Sequence, residues 1–395
     1  MIRFDEAIEL VRSVAKPLGA EAVSIAAAAN RVLAGPIIAR MDSPRSDVSA
    51  MDGYAVRDED LASTPALLEV AGESFAGSGW SGSITPGTAV RIFTGAPVPL
   101  GADRVIIQEN VRREGSLAII EASPGPARHI RKRGSDFNEG DALLFAGRRL
   151  DPRAIVAAAA ADVPELEVYR RPRLSILSTG DELAAPGAAR DRPDAIPESV
   201  SFGVAALAQQ WGAECASRHC LRDDLPAMEA AARSALQESD LVVVTGGASV
   251  GEKDFAKTMF EPLGLELLFS KVSIKPGKPV WLGRIGEQLV MGLPGNPTSA
   301  LVTARLFLAP LLAGLNGRQI ESALSWQTMP IASALQDCGA RETFHRARSV
   351  DGSAEILSFQ DSSAQKVLAE ADLLVRQPPN LPALEAGTKI EALDF

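Results

Sequence analysis

Near the start of the chain apolar positions recur at helical spacing. Ile8, Leu10, Val11 and Val14 alternate with Glu6, Glu9 and Arg12 and predict an amphipathic helix within residues 1–40, followed by an extended piece over 32–38. From about 43 to 145 the period shortens. Short runs such as 89–93 and 104–108 are cut by Pro86-Gly87, Gly95-Ala96-Pro97 and Pro99-Leu100-Gly101, which predicts a β-rich region. Residues 150–168 read as an alanine-rich helix opened by Asp151-Pro152 and closed before Pro164.

From 171 strand and helix alternate. Strands are expected at 174–177, 215–221 and 241–244. Helices are expected at 200–211, from Asp224-Leu225-Pro226 through 236, and at 298–312. Such alternation is the mark of a doubly wound α/β domain, whose ligands sit beyond the carboxyl ends of the strands. After about 320 a small β-rich tail follows. The expected fold class is therefore multidomain, α/β plus β-rich domains. We divide it into a discontinuous helical and linker domain (1–42 plus 140–170), a β-rich lid (43–139), the α/β domain (171–318) and a C-terminal β-rich domain (319–395).

Composition narrows the function classes. The 395 residues are 46% hydrophobic, enough for several cores, and the net charge of −10 argues against a nucleic-acid or anionic-membrane surface. Three cysteines (Cys215, Cys220, Cys338) are too few for a disulfide framework and fit a reducing compartment. Cys215 and Cys220, with His219, read as buried small residues of a strand, because zinc spacing is missing. The N-terminus, MIRFDEAIELV, lacks an apolar signal core, and the longest apolar stretches, such as 154–161, fall short of a membrane span. The expectation is a soluble cytoplasmic protein without nucleic-acid or membrane partners.

Candidate chemistry concentrates in three glycine-proline loops that follow apolar runs: 245–254 (TGGASVGEKD), 275–279 (KPGKP) and 292–297 (GLPGNP). Glycines let backbone amides approach a ligand, and Asn296-Pro297 reads as a helix N-cap followed by proline at the first helical position. Together they predict an anion site, most simply for phosphate. Lys275 and Lys278, held across Pro276-Gly277, are candidates to bind an oxyanion. Acidic residues occur in unusual loops: Asp52 before Gly53, Asp136 after Arg131-Lys132-Arg133-Gly134, Glu182 after a strand, Asp224 before a helix, and Asp254. Each has a plain alternative as a turn, a cap or part of a solvated charge run. Glu182, Asp224 and Asp254 should nevertheless surround one crevice, where carboxylates suit Mg²⁺ with phosphate oxygens completing its shell. No nucleophile elbow, Walker A sequence or dinucleotide fingerprint is present, and His129 and His345 read as residues of surface strands.

In order along the chain stand SAMDGYAV, TGAPVPLGAD with Glu109 downstream, RGSDFNEGD, STGDEL, TGGASVGEKDF, KPGKP and GLPGNP. This series resembles the MoeA/gephyrin E-domain family, and the resemblance runs over essentially the whole chain. It implies a central MogA-like doubly wound α/β domain with a β-rich lid and a C-terminal β domain. It also implies an L-shaped homodimer with a cleft shared between subunits. The implied reaction takes adenylylated molybdopterin and molybdate, releases AMP in a Mg²⁺-dependent step and inserts molybdenum into the dithiolene. On this resemblance the functional carboxylates are Asp52, Asp136, Glu182, Asp224 and Asp254, the last three as Mg²⁺ ligands. Thr179, Gly180, Gly246, Gly247, Ser249, Gly251, Pro294, Gly295 and Asn296 would hold molybdopterin and its phosphates. Lys275, Lys278, Arg341 and Ser362 or Ser363 would hold molybdate. Molybdopterin-handling proteins and molybdoenzyme apoproteins are the implied partners.

The chain departs from the family pattern in four places. Glu198-Ser199-Val200 replaces a D-S/T-N triplet, Thr343 stands where an acidic residue is usual, and Arg45-Ser46-Asp47-Val48 lacks the usual Asn. The glycine-serine segment reads Gln360-Asp361-Ser362-Ser363. Val200 bears on adenylate recognition, so a second reading stands beside the enzyme: a divergent paralogue that binds molybdopterin or finished cofactor for storage, delivery or sensing without turnover. A scaffold role, the third reading, finds no extra linker or partner domain in this sequence.

Overall fold

The computed structural model describes residues 1–246 and 255–395, so Gly247, Ser249, Gly251 and Asp254 lie outside the described residues. Its central sheet runs in the order Glu214–Leu221, Arg173–Thr179, Leu241–Thr245, Gln288–Leu293, Trp281–Ile285, Glu266–Phe269. The first four strands are parallel, and each of the last two pairs antiparallel with the strand before it. Leu241, Val242, Val243 and Val244 are all fully buried, as expected of a parallel strand covered on both faces. Leu241 and Val243 face one core, with Val204 and Leu308, while Val242 and Val244 face the other, with Met228 and Phe260. After Arg173–Thr179 the chain crosses to one side and then returns to the other. A crevice therefore opens beyond Thr179 and Thr245, as in other doubly wound sheets.

One core helix, Pro297–Leu315, has 19 residues and a mean hydropathy of 1.6, long and apolar enough to cross a membrane. This corrects the expectation that no apolar stretch reaches that length. Of its most apolar 18-residue window 94% is buried inside the protein, and Arg305 on its π-helical turn Ala304–Leu308 donates to the carbonyls of Asp394 and Ala323. Its apolarity is that of a core element.

Two further six-stranded sheets flank this domain. One is built from residues of 53–120, in the order Arg104–Ile107, Gly53–Val56, Thr88–Ile92, Ala66–Ser74, Leu117–Ile120, Arg112–Glu114. The N-terminal helix, Phe4–Val14, buries Phe4, Ala7, Ile8 and Val11 in the core of the α/β domain. The alanine-rich helix is shorter than expected, Pro152–Ala160, and Glu165–Tyr169 is a strand paired with Ala20–Ser24. Its period-two pattern, with Leu166 and Val168 buried and alternating with exposed Glu165 and Glu167, was the missed signal. The antiparallel edge of the central sheet was likewise not anticipated. His129 has a left-handed backbone (φ 52°) ahead of the strand Ile130–Arg131, and Cys220 is exposed, so both differ from the sequence expectation.

The C-terminal sheet is stitched to the α/β domain. Ile274–Lys275, just before the KPGKP loop closes, pairs in parallel with Glu342–Val350, setting Lys275 opposite Thr343. Along that strand Arg346, 1% exposed, sends its guanidinium into the loop that follows. One terminal nitrogen donates to Thr298 Oγ1 (3.3 Å) and the Ala364 carbonyl (3.5 Å), the other to the carbonyls of Phe359 (3.2 Å) and Asp361 (3.1 Å). Gln360 closes the arrangement, accepting from the Arg346 amide and donating to the carbonyls of Arg346 and Leu357. A buried guanidinium is tolerated only when its donors are paired, because desolvation costs several kcal/mol.

Beside it, half-buried His345 donates through Nε2 to Gln377 Oε1 at 2.7 Å, since the Gln377 amide nitrogen is committed to the Gln336 carbonyl. It is thus not a surface residue. Burial first, with the Lys275 and Arg346 charges adding to it, holds its pKa below the ordinary 6.5 despite the Gln377 bond.

Arg346→Met should lower stability by about 2–4 kcal/mol, since several carbonyls lose their donor together. Arg346→Lys should recover only part of this, because a point charge cannot fork between them. Denaturant titration of the two variants measures both. For His345 the depressed pKa means the folded state resists protonation. Its contribution is whole above 6.5 and is lost as pH falls through the lower folded value. Melting curves from pH 7 to 5 should fall less steeply in His345→Gln than in the unmodified chain.

Candidate functional site

The crevice at the strand ends is a cavity of about 650 Å³. Its floor forms where three chain segments approach more closely than side chains allow. Gly246 has φ 93°, and a Cβ there would lie 2.4 Å from the Thr179 carbonyl oxygen. A Cβ on Gly295 would lie 3.3 Å from Gly246 Cα. Thr179, Gly246, Pro294, Gly295 and Asn296 accordingly line one cavity, with Gly180 at its edge and the Glu182 carboxylate folded back against Gly180. By contrast, Gly292 answers to packing. A Cβ there would strike the Trp281 indole, so this glycine serves the core and not a ligand.

Asn296 precedes the helix Pro297–Thr303 as expected, but its side chain does not cap it. Its amide donates to Ser362 Oγ at 2.8 Å, and the Ser362 carbonyl accepts from the Thr298 amide at 3.1 Å. A backbone carbonyl from the C-terminal domain thus takes over part of the capping. Ser363, the neighbour, lines the cavity and is held by Asp361, which accepts from its hydroxyl (2.6 Å) and amide (2.8 Å). Those two bonds, the hydroxyl one first, keep the Asp361 carboxyl below the usual range. The two serines therefore differ: Ser362 ties domains together, and Ser363 faces the cavity.

Glu198 was missed by sequence reasoning as a functional residue. It is 6% exposed and accepts from Ser178 Oγ (3.2 Å), the Ser201 amide (2.8 Å) and Ser201 Oγ (2.6 Å). From the residue before the N-cap Ser199 it thereby satisfies the Ser201 amide in the first turn of the helix Val200–Gln210, and a Glu three residues ahead of a Ser before an apolar run was the available signal. Val200 packs into the core near Val204 while also lining the cavity, which makes this wall apolar. Exposed Cys220 nearby has its thiol pushed up, by local desolvation first and then by the Glu198 and Glu182 charges. A poor nucleophile results.

Other candidates stand apart. Asp224 is exposed, caps its own helix through the Ala227 amide (3.3 Å) and does not line the cavity. Among the described residues no three His, Cys, Asp or Glu gather to hold a metal. Asp52 accepts from the Thr94 amide (2.7 Å) and hydroxyl (2.8 Å), which lower its pKa in that order. Asp136 is exposed in a loop fixed by its amide to the Ser43 carbonyl. Neither lines the cavity within this chain.

Lys275, Lys278 and Arg341 are exposed, and no described carboxylate pairs with any of them. Lys275 and Arg341 lie on the paired edge between the α/β domain and the C-terminal sheet. Gly277 (φ 99°) presses the loop between the two lysines against the core helix, where a Cβ would meet Thr303 Cγ2 at 2.2 Å. Three cations without a carboxylate partner among the described residues therefore stand near this loop, and its Pro279 lines the cavity.

Comparison with known proteins agrees in every part of the chain. Residues 2–161 match the MoeA N-terminal region (domain I and II), and residues 175–314 match the probable molybdopterin binding domain. The molybdopterin molybdenumtransferase of Haemophilus influenzae is 37% identical over 349 residues, which is 88% of this chain and 84% of that one. That of Nostoc sp. is 33% identical over 390 residues, 92% of this chain and 88% of its own. The crystal structures of the MoeA protein from Pyrococcus horikoshii overlay with TM-scores of 0.84 and 0.85, at 29% and 25% identity, over 100% of this chain and 99% or 100% of theirs. The chain belongs to the MoeA family of molybdopterin molybdenumtransferases, transferases of molybdenum cofactor biosynthesis.

Proposed function

We propose that this chain takes adenylylated molybdopterin and molybdate, releases AMP and inserts molybdenum into the pterin dithiolene. The observation that supports the reading is the junction of a glycine-lined cavity with a cationic rim that no described carboxylate pairs. Backbone amides and the helix end near Gly246, Gly295 and Asn296 suit phosphate and diphosphate groups. Lys275, Lys278 and Arg341 suit a doubly charged oxyanion.

Mg²⁺ is part of the proposal. It commonly uses one or two carboxylates, with substrate phosphates and water completing its shell. Glu182 at the cavity fits that donor set, having no cation partner among the described residues. Asp224 and Asp254 are the further proposed ligands. When bound, the ion would neutralise charge developing on the phosphate oxygens. Glu182 would orient the diphosphate, while the cavity amides exclude water around it.

Asp52 and Asp136 lie away from this cavity within the chain, which supports a homodimer in which the partner's lid supplies them. Cytoplasmic residence and transfer of product to molybdoenzyme apoproteins are inferred with the same reading. The apolar wall at Val200 favours the second reading, a binder without turnover.

Incubation with adenylylated molybdopterin, molybdate and Mg²⁺ should release AMP; intact pterin binding with AMP at background would favour the binder. Lys275→Ala and Lys278→Ala should each raise half-saturating molybdate roughly tenfold or more, about 1.4 kcal/mol. Pterin affinity should change far less, because only molybdate depends wholly on point charge. Equal losses for both ligands would remove these lysines from the oxyanion. Glu182→Gln should raise the Mg²⁺ needed for half-maximal AMP release and leave pterin affinity near its original value.

A further inference from the structure

A second cavity, about 640 Å³, lies on the opposite side of the α/β domain, where the linker region meets the end of the core helix. Arg31, Arg149 and Arg171 line it from the linker side, and Asn316 and Arg318 from the helix side. Glu214 is the one carboxylate among its lining residues. Four guanidiniums against one carboxylate is a strong local reversal in a chain whose net charge is −10.

Most of that charge is uncompensated. Arg31 is paired with Glu21 and with the Tyr169 carbonyl. The Arg149 guanidinium donates to the Asn30 side-chain oxygen at 2.7 Å. Among the described residues, neither it nor Arg171 nor Arg318 pairs with a carboxylate. Burial, and then the neighbouring Arg149 charge, lower the Arg318 pKa to about 10. Two buried polar atoms at this wall lack any partner: Arg318 Nε, a donor, and Asn316 Oδ1, an acceptor. Orphaned buried groups of this kind are uncommon and call for an explanation.

The wall is also rigid. Gly317 has φ 84°, and a Cβ there would lie 1.9 Å from Tyr169 Cδ2, so the tyrosine ring clamps the turn between Asn316 and Arg318. The Arg318 guanidinium rests over the Trp211 ring, 5.6 Å from its centroid. Cations that repel one another and are fixed in advance suit a multiply charged anion, with forked donors matching its oxygens. Hydrogen phosphate or a phosphate monoester supplies acceptor oxygens for the arginines. A P–OH or sugar hydroxyl supplies the donor that Asn316 lacks.

We propose that this cavity is a binding site for a phosphate group, separate from the molybdopterin crevice. The inference does not depend on the transferase reading. Arg149 and Arg171 are exposed, so R149Q/R171Q should fold normally, with its melting temperature in phosphate-free buffer as the check. Calorimetric titration with inorganic phosphate should show a site in the unmodified protein and in K275A/K278A that weakens at least tenfold in R149Q/R171Q. R318K should weaken it too, since it keeps the charge and loses the fork. Titration with AMP separates the sources: AMP binding tighter than phosphate and lost in the same variant marks a nucleotide, and phosphate binding alone marks the free ion. Equal phosphate affinity in R149Q/R171Q and the unmodified chain, or loss confined to K275A/K278A, would overturn the proposal.

Discussion

The crevice keeps its shape because one guanidinium is sealed beneath it. Arg346 leaves the C-terminal sheet and gathers the carbonyls of Phe359, Asp361 and Ala364 together with Thr298 Oγ1. That fork fixes the turn carrying Ser362 and Ser363, and Ser362 in turn holds Asn296 and the Thr298 amide. Without the buried charge the loop would keep the Ser362 bonds to the α/β domain but lose this fork, and the cavity wall at Ser363 would be loosened. Within this loop Ser363 and Asp361 bond to each other, while Ser362 adds the second tie to the α/β domain.

Much of the fold is legible in the chain because its strongest signals are local. The run of Leu241 to Val244 and the caps at Asp151 and Asp224 read directly into strands and helices. What escaped was decided at a distance. Glu165–Tyr169 resembles the end of a helix until its partner Ala20–Ser24 is known. The apolar length of Pro297–Leu315 was hidden by Arg305, whose charge is absorbed by two carbonyls from other segments. The candidate site divides in the same manner. Glycine-rich loops at Gly246 and Gly295 are visible in sequence, and Glu198 turning inward had a local signal in Ser201, whereas Asn296 abandoning its cap depends on Ser362, 66 residues along the chain.

Chemistry in this crevice is laid out by separation of charge. Among the described residues, Asp361 is engaged by Ser363, and Asp52 and Asp136 do not line the cavity. Glu198 is the clearest instance, a carboxylate beside the cavity whose oxygens are taken up by Ser178 and Ser201. Glu182 is the exception, a cavity carboxylate with no cation partner among the described residues, so positive and negative groups stand on separate parts of the crevice.

The pairing of Ile274–Lys275 with Glu342–Val350 sets a limit on how such a protein can be cut or recombined. A boundary near residue 319 separates the chain in sequence but not in hydrogen bonding, because a strand of the C-terminal sheet is contributed from before it. Removing the last domain would bare the edge of Ile274–Lys275 and unseat a lysine of the rim at one stroke. A bare α/β domain taken from this chain is therefore an incomplete object. The C-terminal domain could be exchanged for that of a relative only together with the KPGKP segment, so the two must vary as one unit.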